Sequence, residues 1–176
     1  MRPSLLPFMK FYMKLMLLLS LLTFAACQAA PKEPVAKEGT ERVALCQYCF
    51  WTGEFKIGAI EGVTTTQAGF IEGREVTLVT YDPKATSLEK ILKQAKADGV
   101  ATAVYLDDPS QLKGARKING YRPAPVRDQK KQIQGTAFAT LKLTPEQATK
   151  VNAFARSQPK KAAEYLTPEQ RKKLGL

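Results

Sequence analysis

The 176-residue chain contains no histidine. That excludes Cys-His and Ser-His catalysis and any zinc site that needs imidazole. Cysteine is also scarce, at three in the whole chain, and tryptophan occurs once. Cys46 and Cys49, spaced C-x-x-C, are enough for one disulfide but not for a closed zinc site, which wants four ligands. Acidic residues are scarce at one end only. Residues 28–108 carry 9 Lys/Arg against 12 Asp/Glu, whereas 109–176 carry 15 against 4. Such an excess usually makes a solvated surface, and no nucleic-acid recognition motif accompanies it.

Apolar runs long enough to span a bilayer are missing as well. Leu15 to Phe24 falls short of the roughly 20 apolar residues a spanning helix needs. With Arg2, Lys10 and Lys14 nearby, Leu5 to Cys27 reads as an export signal over residues 1–26. Its end, Leu22-Thr23-Phe24-Ala25-Ala26-Cys27, resembles a bacterial lipoprotein box, with Cys27 as the lipidated residue. Gln28 resembles the outer-membrane sorting choice, which implies a periplasm-facing lipoprotein of the cell envelope. Residues 27–40, rich in Pro, Lys, Glu and Ala, read as a tether to the membrane.

Residues 41–122 show a regular alternation. Strands are expected at Arg42–Cys46, Gly62–Phe70, Glu75–Tyr81 and Val100–Leu106. Helices are expected at Thr52–Ile60 and after Ser87, where Leu88, Ile91, Leu92 and Ala95 share one face. The order β-α-β-β-α-β predicts an α+β fold of the ferredoxin-like, split βαβ sandwich type. Residues 123–176 read as a basic, mostly helical extension. Two helix starts in it repeat one phrase, Leu143-Thr144-Pro145-Glu146-Gln147 and Leu166-Thr167-Pro168-Glu169-Gln170.

Cys46-Gln47-Tyr48-Cys49-Phe50-Trp51 lies on the first strand-to-helix turn. Unpaired backbone N–H groups and the positive end of the helix dipole there favour the reactive thiolate, so Cys49 is the expected nucleophile. Cys46, ending a strand, is either a small buried apolar residue or a redox partner. Phe50 and Trp51 are either core or the wall of an apolar pocket. Glu54 and Glu61 read as solvated helix positions, and Glu75 as an edge-strand carboxylate or an acid.

Cys49-Phe50-Trp51 followed by Glu54 resembles the Gly-Cys-Phe-Trp-x-x-Glu signature of the methionine sulfoxide reductase A family. The likeness runs on through Gly62-Val63, Ala68-Gly69-Phe70, Glu75-Val76, Thr80-Tyr81-Asp82-Pro83, Asp108-Pro109-Ser110-Gln111-Leu112 and Gly120-Tyr121-Arg122. The resemblance implies that Cys49 attacks the sulfoxide sulfur and that Glu75 protonates the departing oxygen. It also implies that Phe50 and Trp51 hold the substrate methyl group and that Tyr121 donates to the oxygen. Methionine S-sulfoxide, free or in oxidised proteins, would be the substrate, with no cofactor and no metal. A second thiol, Cys46, would capture the sulfenic acid as a disulfide for a periplasmic thiol donor to reduce. Phe70 stands where the family usually has tyrosine, Tyr48 replaces the glycine before Cys49, and no cysteine follows Cys49.

Two other readings compete. C-x-x-C on the first turn of a ferredoxin-like fold also suits a Cu(I) carrier, although Ala44 sits where such domains usually have Met. The third is a non-catalytic protein, either a diverged relative or a membrane-tethered interaction protein whose basic tail contacts anionic lipid or polymer. Export is testable without choosing among them. Mass spectrometry of the membrane-associated protein is expected to find a mature chain beginning at a lipid-modified Cys27. An intact segment from Met1 to Cys27 on the mature protein would overturn this.

Overall fold

The computed structural model describes residues 38–176. The expected export signal, the lipid site at Cys27 and most of the tether lie outside the described residues. Strand β1 (Glu41–Cys46) leads into helix α1 (Phe50–Gly58), then the hairpin strands β2 (Val63–Ile71) and β3 (Arg74–Tyr81). Helix α2 (Leu88–Ala97) starts where Ser87 accepts from the Lys90 amide, as its sequence predicts. Strand β4 (Ala103–Leu106) follows, then the short strands β5 (Arg116–Lys117) and β6 (Arg122–Pro123).

The expected α+β content is present, in a sheet of six strands ordered β5-β4-β1-β3-β2-β6. The β1–β3, β1–β4, β2–β3 and β2–β6 pairs are antiparallel, while β5 runs parallel to β4 and makes the sheet mixed. The outer strands have two residues each, too short to leave a periodic pattern.

Alternation along the strands divides the core into two faces. Val43, Leu45, Val79, Tyr81 and Leu106 point to the face that holds Ile57 of α1 and Ile91, Leu92 and Ala95 of α2. Ala44, Cys46, Val76, Leu78 and Tyr105 point to the other, where Ile118 and Tyr121 cover them. Burying each such aliphatic side chain stabilises the fold by roughly 1.5–3 kcal/mol before entropy is counted.

The extension packs directly on this unit. Helices α3 (Pro145–Phe154), α4 (Pro159–Glu164) and α5 (Pro168–Lys173) enclose a second core of Ile133, Phe138, Val151, Phe154, Ala162 and Leu166. Thr149 joins it to the sheet, accepting from the Thr66 amide at 3.0 Å. A Cβ at Gly58 would lie 3.1 Å from the Thr149 carbonyl oxygen, so the helices meet closely here and a side chain would need Thr149 to move back slightly. Both repeated phrases form full capping boxes, at Thr144/Gln147 and Thr167/Gln170. The two glutamines also meet, Gln147 donating to Gln170 at 2.8 Å and Gln170 donating back at 3.2 Å.

Lys150 closes the carboxyl end of α1, its ammonium donating to the carbonyls of Gly58 (3.0 Å) and Ile60 (2.8 Å). Burial pulls its pKa down from 10.5 to about 8; Lys161 pushes the same way and Glu61 opposes. Between about pH 8 and 10.5 the unfolded chain therefore binds more protons here than the folded one, and stability contributed by this group rises with pH. Thermal midpoints measured across that window should rise more steeply in wild type than in Lys150→Met. Equal slopes would show that Lys150 is not held in this state.

Candidate active site

Cys49 is the N-cap of α1, in extended backbone (φ −143°, ψ 112°), with its side chain making no capping hydrogen bond. Its carbonyl accepts from the amides of Thr52 (3.1 Å) and Gly53 (3.2 Å), which fixes the half-buried residue at the helix mouth. A helix start leaves donors without partners. One of them, the Phe50 amide, donates to Oε2 of Glu75 at 2.9 Å. Glu75 comes from β3, opposite Phe70, and is half-buried. The Glu75 carboxyl is thereby held beside the amide that follows the thiol. The second oxygen of Glu75 has no hydrogen-bond partner among the described residues.

An aromatic wall adjoins this pair. Phe50 meets Phe70 edge to face, with ring centroids 5.5 Å apart, and meets Trp51 at 5.9 Å. Ala68 and Ala124 close the cluster behind them. The Trp51 indole N–H donates to the Asp128 carbonyl at 2.9 Å, and the Lys131 ammonium lies 4.8 Å from the ring centroid. Gly53 lets α1 approach β3 closely: a side chain there would overlap the Thr77 hydroxyl and the Gln47 amide. Those two groups lie 2.8 Å apart, and the backbone N–H of Gln47 donates to the Glu75 carbonyl at 3.2 Å.

The other expected site residues lie elsewhere. Cys46, 6% exposed, packs among Ala44, Val76, Leu78 and Tyr105 on the sheet face away from Glu75. Both described cysteines are free thiols. Tyr121 shares that far-face cluster and lies so close over Gly69 that a side chain there would overlap its ring. Its hydroxyl is within hydrogen-bond distance of the Gln67 side chain (3.0 Å) and donates to the Ala68 carbonyl (3.1 Å). Tyr48, next to Cys49, is 99% exposed.

Glu54 corrects an expectation. It is not solvated but has no exposure at all, and its carboxylate pairs with the Lys130 ammonium and accepts from the Lys130 amide at 2.8 Å. The reason is that Glu54 lies on the buried stripe of α1, with Phe50, Gly53, Ile57 and Gly58, where the sheet and the extension close over the helix. Lys130 and Gln129 were not legible as structural residues, because Arg127-Asp128-Gln129-Lys130-Lys131 reads as an exposed charged run. The available signal was the spacing of Glu54, four residues after Phe50 and three before Ile57, which puts it on a buried stripe of α1.

A half-buried thiol at a helix mouth, a carboxylate one amide away and an aromatic wall define a thiol site on an α+β fold. No family model matches the chain. Among curated proteins it is similar to the peptide methionine sulfoxide reductase MsrA of Rippkaea orientalis (strain PCC 8801 / RF-1), with 34% identity over 80 residues. The match covers 36% of this chain and 37% of that protein, so the chain spans little more than a third of the relative's length. The similarity is consistent with a diverged MsrA-related protein.

Removing one partner of a buried ion pair leaves the other charge uncompensated. Lys130→Met should therefore lower the unfolding free energy by about 3–5 kcal/mol in denaturant titrations. A loss under about 1 kcal/mol, the scale of an exposed pair, would show that Glu54 is not committed to Lys130.

Proposed function

We propose that this protein reduces methionine S-sulfoxide, free or in oxidised proteins, in the cell envelope. The observation that carries the reading is the 2.9 Å contact from the Phe50 amide to Glu75. It sets an acid beside Cys49 at the edge of an aromatic wall, as a sulfoxide reductase needs. Similarity to MsrA supports the same class of reaction. The alternation of β1 to β4 with α1 and α2 supports a ferredoxin-like core as the scaffold.

Sulfoxide oxygen leaves poorly until it is protonated. Phe50 and Trp51 would hold the substrate methyl group while the Cys49 sulfur attacks the sulfoxide sulfur. Because the Phe50 amide occupies Oε2 of Glu75, the proton to be donated would sit on Oε1. The S–O bond breaks as the oxygen is transferred to the cysteine sulfur: methionine is released, Cys49 becomes a sulfenic acid, and the substrate is reduced by the two electrons the thiol loses. Cys46 would then attack the sulfenic sulfur, releasing water and forming a Cys46–Cys49 disulfide that two thiols of a periplasmic donor reduce. Cys46 faces the far side of the sheet, so this step requires the end of β1 to turn over. Use of Tyr121 as the oxygen donor would require its hydroxyl to leave Gln67 and Ala68. A lipid on Cys27 would tether the enzyme to the outer membrane, facing the periplasm. Cu(I) carriage would need the same turning of the end of β1, since two thiolates must converge on the metal.

Single-turnover reaction of the reduced protein with each epimer of methionine sulfoxide tests the reading. Wild type should release one methionine from the S epimer and form a disulfide. Cys46→Ser should release the methionine and stop at the sulfenic acid, and Cys49→Ser should release none. Glu75→Gln should slow the chemical step by about a hundredfold or more, the scale for losing a positioned acid. If wild type releases no methionine from either epimer, the reductase reading fails; Cu(I) titration then separates a carrier from a non-catalytic relative.

A further inference from the structure

The single tryptophan of the chain is held by a segment that belongs to the extension rather than to the thiol site. We infer that residues 124–131 act as a positioning strap, fixing the orientation of the Trp51 ring and through it the fit of the substrate's methyl group. For its kinetic consequence the inference rests on the reductase reading; for its structural part it does not.

The strap is anchored at three places, each independent of Trp51. At its start, the Ala124 amide donates to the Ala68 carbonyl at 2.9 Å, continuing the β2–β6 pairing by one bond. In its middle, the Gln129 side chain reads both edges of Ala68, accepting from its amide at 3.0 Å and donating to its carbonyl at 2.8 Å. The same Gln129 amide donates to the Ala124 carbonyl at 3.0 Å, which ties the loop across its own neck. At its end, Lys130 joins the buried Glu54 carboxylate and the Thr66 carbonyl. Lys130 takes a positive φ of 49°, a conformation that costs a non-glycine residue energy and persists only where surrounding contacts impose it.

Between these anchors, a single 3₁₀ turn at Val126–Asp128 presents the Asp128 carbonyl to the indole N–H. An aromatic ring on an apolar wall can turn about its own bonds without losing much contact area. A directed N–H bond at one edge and a cation over the face leave one preferred orientation. Glu54, three residues after Trp51 on α1, ties the Lys130 end of the strap to the helix that carries the ring. Gln129 and Lys131 are thus positioning residues, acting through Trp51.

Because Trp51 is the sole tryptophan, its fluorescence reports on the strap with or without turnover. Gln129→Ala unties the middle anchor and spares the Glu54–Lys130 pair. With far-UV circular dichroism unchanged, it should shift Trp51 emission to the red and make acrylamide quenching more efficient. Its KM for methionine sulfoxide should rise by about tenfold, the low end of what a misfitting apolar pocket costs, with a smaller change in kcat. Lys131→Met, at a partly exposed position, should change Trp51 emission without altering the fold, and decides the matter if Gln129→Ala does not fold. Unchanged emission and quenching in the folded variants would overturn the strap. A fluorescence change in a protein that turns over no sulfoxide would keep the strap and sink the reductase reading instead.

Discussion

Helix α1 is clamped between the sheet and the extension along Phe50, Gly53, Glu54, Ile57 and Gly58, and most of the molecule follows from that constraint. One flank lies on the sheet, where Gly53 admits Thr77 and Gln47, and the other lies under the extension, where Gly58 admits Thr149. A carboxylate on that buried stripe cannot be solvated, and a bare buried charge would cost several kcal/mol. Glu54 escapes that cost only because Lys130 reaches it with both its ammonium and its amide. The ion pair therefore specifies where the extension attaches. A hydrophobic pair of the same volume would pack as tightly but would tolerate sliding of one surface over the other.

The same helix sets the chemistry at its opposite end. Its first amides need acceptors, and Glu75 supplies one from the neighbouring strand. A requirement of backbone hydrogen bonding thereby places a carboxylate next to Cys49. The aromatic wall arises in a similar way: Phe50 and Trp51 are the first two residues of the helix, and Phe70 stands across from Glu75 on the paired strand. Site and scaffold are made from the same few contacts, so the thiol, the Glu75 carboxyl and the wall keep their spacing as long as α1 stays seated.

Residues with a strong local period were readable in advance. Val43 and Leu45 alternate, Leu88, Ile91, Leu92 and Ala95 recur on one helical face, and Thr144 and Thr167 announce their helices. The start of α1 falls at Phe50 rather than Thr52, because Cys49 adopts the extended backbone of a cap. Glu75 was legible only through its family likeness; its own neighbours would fit an exposed strand end. Gln129, Lys130 and the burial of Glu54 left almost no local signal, since each depends on a contact more than sixty positions away along the chain. The separation of Cys46 from Glu75 across the sheet is a matter of strand parity, fixed by the pairing of Cys46 with Val76 and of Phe70 with Glu75.

The repeated Leu-Thr-Pro-Glu-Gln phrases invite an account by duplication, yet their geometry gives another reason for the repeat. Gln147 and Gln170 each close their own helix start and also bond to one another, and Gln147 donates to the Tyr165 carbonyl besides. Neither amide can be exchanged for a side chain with a different donor and acceptor pattern without disturbing both helix starts. Two helix starts 23 positions apart in the chain are thus joined through one pair of amides, and α3 and α5 should fray as one cooperative element.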